Sequence, residues 1–176
     1  MIALDQKLPA ILRGEATPAD PGEAVTLAQM CQQHKKRHAA AARLYADAFA
    51  AAPKLAADPN QQHRYNAACS AALAAAGQGE DAQRLPDKVV GMFRRWAFRW
   101  LSDDLKVYSR LAQQKNNQLR QVIQQRLAHW RSDPDLASVR DRQSLDRLHE
   151  DERAEWQALW RDVDELVKRV ATNAKP

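Results

Sequence analysis

The chain has 176 residues, enough for one domain that buries roughly 70% of its unfolded surface without disulfides or metals. Only fifteen residues are Val, Ile or Thr, while Ala, Leu, Gln, Arg and Glu are frequent, so the composition favours helices and argues against a sheet. The two cysteines show no CxxC spacing, no run of eighteen apolar residues occurs, and the first residues do not form a secretory signal. We therefore expect an all-α, cytoplasmic protein with no membrane segment.

Residues 1–20 are predicted to form a short helix followed by a loop. Leu8, Ile11 and Leu12 fall on one side of a helix, and Gly14 is a typical stop signal. The loop EATPADPGE then leads to Asp20, a good N-cap, with proline next and Glu23 three residues after it. One helical domain is therefore expected to begin at residue 21 and to extend over residues 21–176.

The segment from Leu27 to Pro53 predicts two closely packed antiparallel helices. Its first helix has a large residue beside a small one, and its second repeats small residues around one aromatic before a closing proline. The residues are Leu27, Ala28 and Cys31, then Ala41, Tyr45, Ala48 and Pro53. This pattern resembles one tetratricopeptide repeat, with Cys31 where that family usually has an aromatic residue and one extra residue in the turn. Small residues let the helices approach closely, and the proline ends the second one.

Four further helices are predicted in the rest of the chain. An alanine-rich helix opens after Asp58-Pro59-Asn60 and ends near Gly77 and Gly79, and a long amphipathic helix starts at Asp87. These two form a second, degenerate hairpin over residues 60–114. C-terminal helices are expected over residues 116–131 and 149–172, separated by a long loop that contains Asp133-Pro134. The last helix carries the clearest apolar stripe and is expected to cap the array.

The repeat resemblance implies a short solenoid of antiparallel hairpins that acts as a protein–protein interaction scaffold rather than an enzyme. First-helix residues away from the buried seam would line its concave face, so Gln29, Gln32, Gln33 and Lys36 are the predicted contacts for a protein or peptide partner. No catalytic residue, metal ligand or cofactor is predicted.

Three longer blocks extend the resemblance. LPAILRGE, RYNAACSAALAAAGQGEDA and the C-terminal HWRSDPDLASVRD with WQALWRDVDELVKR resemble the repeat region of planctomycete-type bacterial proteins that join a serine/threonine kinase to tetratricopeptide repeats. That likeness implies a module associated with a signalling kinase or a free-standing relative of it. The Gly-rich loop, catalytic lysine, HRD and DFG motifs of the kinase do not occur in these residues.

Charge distribution supports an alternative function. The net charge is +5, but residues 88–131 hold ten Lys/Arg against two acidic residues, a net of +8, and residues 133–165 hold eleven acidic residues against five Arg, a net of −6. A basic module for nucleic acid or an anionic surface would use Arg94, Arg95, Arg99, Lys106 and Arg110. The acidic segment argues against nucleic acid, and a homo-oligomer held by the opposite charges is a third hypothesis.

Several chemical patterns have a structural interpretation that we prefer. Cys31, His34 and His38 are spaced like metal ligands on one helical face, with His63 and Cys69 as further donors, but the motif supplies no fourth ligand. Adjacent Asp103 and Asp104 point about 100° apart on a helix, so they cannot form a facing acid/base pair, and we expect solvation or pairing with Arg99 and Arg110. Trp96 and Trp100, which have arginines beside them, could stack on bases, but they share an apolar stripe with Phe93 and are expected in the core. Trp156 and Trp160 are expected in the core or at an interface, in a cluster with Trp130.

Overall fold

The computed structural model describes residues 2–172; Met1 and residues 173–176, the end of the predicted domain, lie outside it. Every regular element between residues 2 and 172 is helical, which confirms the all-α prediction. None of these helices is both long and apolar enough to cross a membrane. The chain divides into two compact units, one ending at Ala97 and one beginning at Phe98.

The first unit contains five complete helices and the start of a sixth. They are α1 (Ile2–Leu12), α2 (Pro21–Gln33), α3 (His38–Ala51), α4 (Pro53–Ala57), α5 (His63–Ala75) and α6 (Asp87–Leu111), which continues into the second unit. Helix α3 packs extensively against both α2 and α5. The predicted helices near residues 4–14, 21–33 and 38–52 are therefore present with small shifts at their ends. The alanine-rich helix was predicted from about residue 60, but α5 begins at His63, and the short α4 was not predicted.

Local signals fix the start of α2 as predicted. The Asp20 side chain accepts a hydrogen bond from the Glu23 backbone N–H at 2.9 Å, and Pro21 occupies the first helical position. The Glu23 carboxylate reaches back to the Ala19 N–H, one residue before the N-cap, and pairs with Lys7 at 2.8 Å. The hydrogen bond from Ala19, followed by the one from Lys7, lowers the pKa of Glu23.

Fully buried residues, most of them small, pack α2 against α3. Leu27, Ala28, Cys31, Ala41 and Tyr45 are all 0% exposed. The Tyr45 ring also contacts Phe49, with 5.7 Å between ring centroids. Helix α3 ends at Ala51 and Pro53 begins α4, so the proline stops the helix where the sequence predicts.

Helix α5 is buried over most of its length. Residues 67–74 are all buried, including Ser70, whose hydroxyl donates to the Asn66 carbonyl oxygen at 3.0 Å. Because alanine contributes little burial by itself, such a helix is stable only where neighbours cover several of its sides. The alanine-rich composition of this segment is the reason for its central position in the first unit.

The second unit begins within α6 and contains α7 (Asn117–Ser132), α8 (Ala137–Arg140), α9 (Arg142–Leu145) and α10 (Glu150–Thr172). A 3₁₀ turn at Pro134–Leu136 precedes α8. The prediction of a long loop before the last helix was therefore wrong. The Asp133 carboxylate accepts from the Asp135 N–H at 2.9 Å and starts this turn, while Leu136, Val139 and Leu145 are buried and hold the short helices in place.

The core of this unit lies between α7 and α10. Ile123, Leu127 and Trp130 from α7 are at most 1% exposed, and α10 packs on α7 and α8. The indole N–H of Trp160 donates to the Val139 carbonyl oxygen at 2.7 Å, which ties α10 to α8. The apolar stripes predicted for the two C-terminal helices are confirmed as their buried faces.

Candidate functional site

The predicted partner contacts lie at the C-terminal end of α2 and in the turn after it. Gln33 and Lys36 are exposed, whereas Gln29 and Gln32 are half-buried. The buried seam with α3 occupies the other side of the helix, so this face is polar, and four of its residues are Gln or Lys. Whether it binds a partner stays a prediction.

Gln32 has an unusual environment on this face. Its Oε1 atom is shielded from solvent and accepts no hydrogen bond within the described part of the chain. A buried amide oxygen without a donor costs about 1–3 kcal/mol. Because this atom has no exposed surface, the predicted contact surface depends on the exposed Gln33 and Lys36.

A distant loop holds the turn that carries Lys36. The Glu80 N–H donates to the Lys36 carbonyl oxygen at 2.9 Å. The Asp81 carboxylate accepts from the N–H groups of Ala39 and Ala40 at 3.2 and 2.8 Å, and so caps α3, whose own preceding residue supplies no side-chain cap. The loop after α5 thus fixes the shape of the α2–α3 turn.

Backbone conformation in this contact depends on a glycine. Lys36 has φ +48° and Gly79 has φ +99°. A Cβ atom at Gly79 would lie 2.5 Å from the Lys36 carbonyl oxygen and 2.8 Å from the His38 ring. Only glycine permits this close approach of the two loops, so Gly79 positions the turn and the start of α3 together.

The metal hypothesis does not match the geometry. Helix α2 ends at Gln33, His34 is its C-cap, and His38 begins α3, so Cys31, His34 and His38 do not share one helical face. Cys31 is fully buried, while His34 is exposed. Burial raises the pKa of the Cys31 thiol to about 11, which keeps it protonated at neutral pH and disfavours the thiolate that a metal needs.

The five basic candidates all lie on α6, but their environments differ. Arg95, Arg99, Lys106 and Arg110 are exposed, and Arg94 is half-buried. The intervals of four, seven and four residues place the exposed four on one stripe of a helix. Arg94 and Arg95 belong to the first unit and the other three to the second. A nucleic-acid function for these residues stays a prediction.

The acidic pair on α6 departs from expectation. Asp103 pairs with Lys106, with 3.1 Å between Oδ1 and Nζ, and not with an arginine as predicted. Asp104 is only 2% exposed, although we expected a solvated or Arg99- or Arg110-paired group. Residues three positions apart are neighbours on a helix, so Asp103 lies beside Lys106. Asp104, one position later, faces the interior instead.

The tryptophans are placed largely as predicted. Trp100, Trp130 and Trp156 are buried, while Trp96 and Trp160 are half-buried. Trp96 contacts Phe93 edge-on at 5.5 Å between centroids. These aromatic contacts favour a structural role over a stacking platform for bases.

A small polar pocket of about 420 Å³ lies between α1 and the α2–α3 turn. Three cations line it, and each has an acidic neighbour. Lys35 pairs with Asp5 at 2.8 Å, Arg13 with Glu15 at 2.7 Å, and Arg37 with Glu80 at 3.6 Å. The charges are balanced, so the pocket shows no preference for an anion.

A larger groove, about 720 Å³ in volume, lies in the second unit between α6 and α10. Its lining combines apolar residues with charges of both signs; the main residues are Phe98, Leu105, Lys106, Arg110, Glu155, Leu159, Asp162, Glu165, Leu166 and Arg169. We call it the α6–α10 groove. Sequence reasoning missed it because residues that meet across it, such as Ser109 and Arg169, are 60 positions apart, although the three- and four-residue intervals on both helices were a visible signal.

The comparisons with known proteins add no relative. No protein-family model matches the sequence, and neither a curated protein nor a solved structure matches it. The likeness to tetratricopeptide repeats therefore rests on the residues of the chain itself.

Proposed function

We propose that the chain is a non-catalytic protein-interaction scaffold of the tetratricopeptide type. In this proposal α2 and α3 form one repeat hairpin, and α5, which packs against α3, begins a second, degenerate repeat. The C-terminal sequence blocks support a role as a module associated with a bacterial serine/threonine kinase. The partner is a protein or peptide, bound through the polar face of α2.

The observation that carries this proposal is the division of α2 into two faces. Leu27, Ala28 and Cys31 are fully buried against α3, while Gln33 and Lys36 are exposed beside the unsatisfied oxygen of Gln32. Close packing of small residues fixes the hairpin, and the opposite side of the first helix remains for recognition.

The first experiment is capture of partners from native lysate on the tagged chain at physiological salt, with and without nuclease, followed by mass spectrometry. The double variant Gln33→Ala/Lys36→Ala should lose the proteins that the wild-type chain retains. A matched control is Gln61→Ala/Lys54→Ala, which changes the same residue types at exposed positions elsewhere in the first unit. The control should retain the same proteins as the wild type.

Affinity measurement with the captured partner makes the test quantitative. We expect the double variant to bind at least about tenfold more weakly, which corresponds to about 1.4 kcal/mol, without loss of helicity. Equal weakening by both double variants would refute the α2 face as the binding surface.

Exposed arginines on α6 favour a second candidate, an anionic-surface or nucleic-acid module. Arg99 and Arg110 are exposed and make no ion pair with another described residue. In that case retention in the lysate experiment would disappear with nuclease, and affinity would fall steeply with the logarithm of salt concentration.

A further inference from the structure

The two walls of the α6–α10 groove have the residue spacing of helices that accept a third helix. On α6 the lining residues Phe98, Ser102, Leu105 and Ser109 follow intervals of four, three and four. On α10 the lining residues Leu159, Asp162, Leu166 and Arg169 follow intervals of three, four and three. This alternation repeats every 3.5 residues on average and forms the holes into which side chains of a neighbouring helix fit.

Contacts at both ends define the length and direction of the groove. Phe98 meets Trp156 edge-on with 5.2 Å between ring centroids, and Arg169 donates to the Ser109 hydroxyl at 3.2 Å. The walls therefore run in the same direction. The span from Phe98 to Ser109 is roughly 16 Å at 1.5 Å per residue, or about three helical turns.

The two walls carry opposite charges that do not neutralise each other. Among the described residues, Arg110 on the α6 wall makes no ion pair and Lys106 pairs only with Asp103 on its own helix. On the α10 wall, three carboxylates are likewise without an ion pair to a described residue; they belong to Glu155, Asp162 and Glu165. An occupant therefore meets a basic wall on one side and, on the other, a wall with three carboxylates and a single cation, Arg169, at the Ser109 end.

The floor between these walls is apolar and largely covered. Leu105, Leu159 and Leu166 are 7%, 5% and 1% exposed, and Phe98 is half-buried. A partner with a narrow apolar ridge therefore fits this floor better than a partner with a flat surface. The ridge must also be flanked by charges that match the walls.

A second copy of the chain does not supply this ridge from the helices of the same unit. The main apolar residues of α7 and α10 are already buried within the unit, including Ile123, Leu127, Trp156 and Val163. Exposing them to a second groove would remove the core that holds the unit together.

We propose that the α6–α10 groove binds an amphipathic helix of another protein, about three turns long. Its apolar ridge lies on Phe98, Leu105 and Leu159. Its acidic flank faces Lys106 and Arg110, and its basic flank faces Glu155, Asp162 and Glu165. The groove shares no residue with the α2 face, so the proposal holds or fails independently of the function proposed above.

The probe is a synthetic helical peptide of about 18 residues, long enough to hold some helix in water, with Leu at the ridge positions, Glu on one flank and Lys on the other. Two control peptides carry the same ridge with Lys on both flanks or Glu on both flanks. Binding to the full chain is measured by fluorescence anisotropy at physiological salt. The mixed-charge peptide should bind at least about fivefold more tightly than either control, because each control places like charges against one of the two walls.

Variants of the chain locate the binding. Arg110→Glu should weaken the mixed peptide about fivefold and strengthen the peptide with Lys on both flanks. Arg99→Glu makes the same charge change at an exposed position of α6 outside the groove lining, and it should change neither affinity. This pair separates a local contact from the effect of net charge.

Three results would overturn the proposal. One is the absence of measurable binding by any of the three peptides, and another is equal binding by all three. The third is equal weakening of the mixed peptide by Arg110→Glu and Arg99→Glu. Sedimentation of the wild-type chain provides a further check: a dimer that Arg110→Glu dissociates would assign the groove to a second copy instead.

Discussion

Replacement of Gly79 by alanine tests the contact between the loop after α5 and the α2–α3 turn. At φ +99° an L-residue pays about 1–2 kcal/mol of backbone strain. The new Cβ would also lie 2.5 Å from the Lys36 carbonyl oxygen, which is backbone and cannot rotate away. Relief of that clash requires separation of the loops, which breaks the hydrogen bond between Glu80 and Lys36.

The loop carries the α3 cap with it, so two contributions add to the strain. A backbone hydrogen bond contributes about 1 kcal/mol, and a helix cap about 1 kcal/mol. We expect Gly79→Ala to lower the free energy of unfolding by about 3–4 kcal/mol. In a chain of this size each kcal/mol corresponds to about 2–4 °C in Tm, so the loss is visible by urea titration followed by circular dichroism and by thermal melting.

Two other glycines provide matched controls for this experiment. Gly14 has φ +74° but no atom within 4 Å of a Cβ, so Gly14→Ala measures the backbone strain alone, about 1–2 kcal/mol. Gly91 lies inside α6 with an open Cβ position, and Gly91→Ala should raise stability by about 0.5–1 kcal/mol. If Gly79→Ala costs no more than Gly14→Ala, the loop contact does not hold the turn and the reasoning is wrong.

Three further predictions concern buried or titrating groups. The hydrogen bonds that lower the pKa of Glu23 stabilise the fold above the unfolded pKa of about 4.3, and this stability is lost as pH falls through the lower folded pKa. Urea midpoints between pH 6 and about 3 should therefore fall further for the wild type than for Glu23→Gln, and parallel curves would contradict the assignment. Tyr45→Phe removes a buried hydroxyl that makes no hydrogen bond to a described residue. It should therefore leave the free energy of unfolding unchanged or raise it by up to about 1 kcal/mol. A clear loss of stability in urea titration would show that the hydroxyl is paired. Cys31 and Cys69 are both buried, and burial raises the pKa of Cys31 to about 11. A thiol reagent at pH 8 should therefore label neither cysteine in the folded chain and both in urea. Rapid labelling of the folded chain would refute that burial.

The helix ends that sequence reasoning located correctly are those fixed by neighbouring residues. Asp20 and Pro21 start α2, and Pro53 ends α3, because the signals lie within three residues of the ends they set. The small residues on α2 and α3 likewise predicted which faces are buried. Such patterns are local, and a single sequence shows them directly.

The features that were missed depend on residues far apart in the chain. The cap of α3 comes from Asp81, separated from Ala39 by 42 positions. The segment between Asp133 and Leu145 has proline and several aspartates, which indicate a loop, yet its apolar residues are buried and the short helices form. The α6–α10 groove combines two walls that only tertiary packing brings together.

Capping of α3 by Asp81 has a consequence for how the chain can be divided. In a modular repeat array each hairpin carries its own stop and start signals, so units can be added, deleted or expressed singly. Here α3, the second helix of the first hairpin, obtains its cap from Asp81, which follows α5, two helices later. A fragment that ends before Gly77 would retain both helices of the hairpin and lack what closes the turn between them. Duplication of the hairpin alone would likewise produce an unfinished copy, so the smallest unit that can be copied intact extends through Asp81.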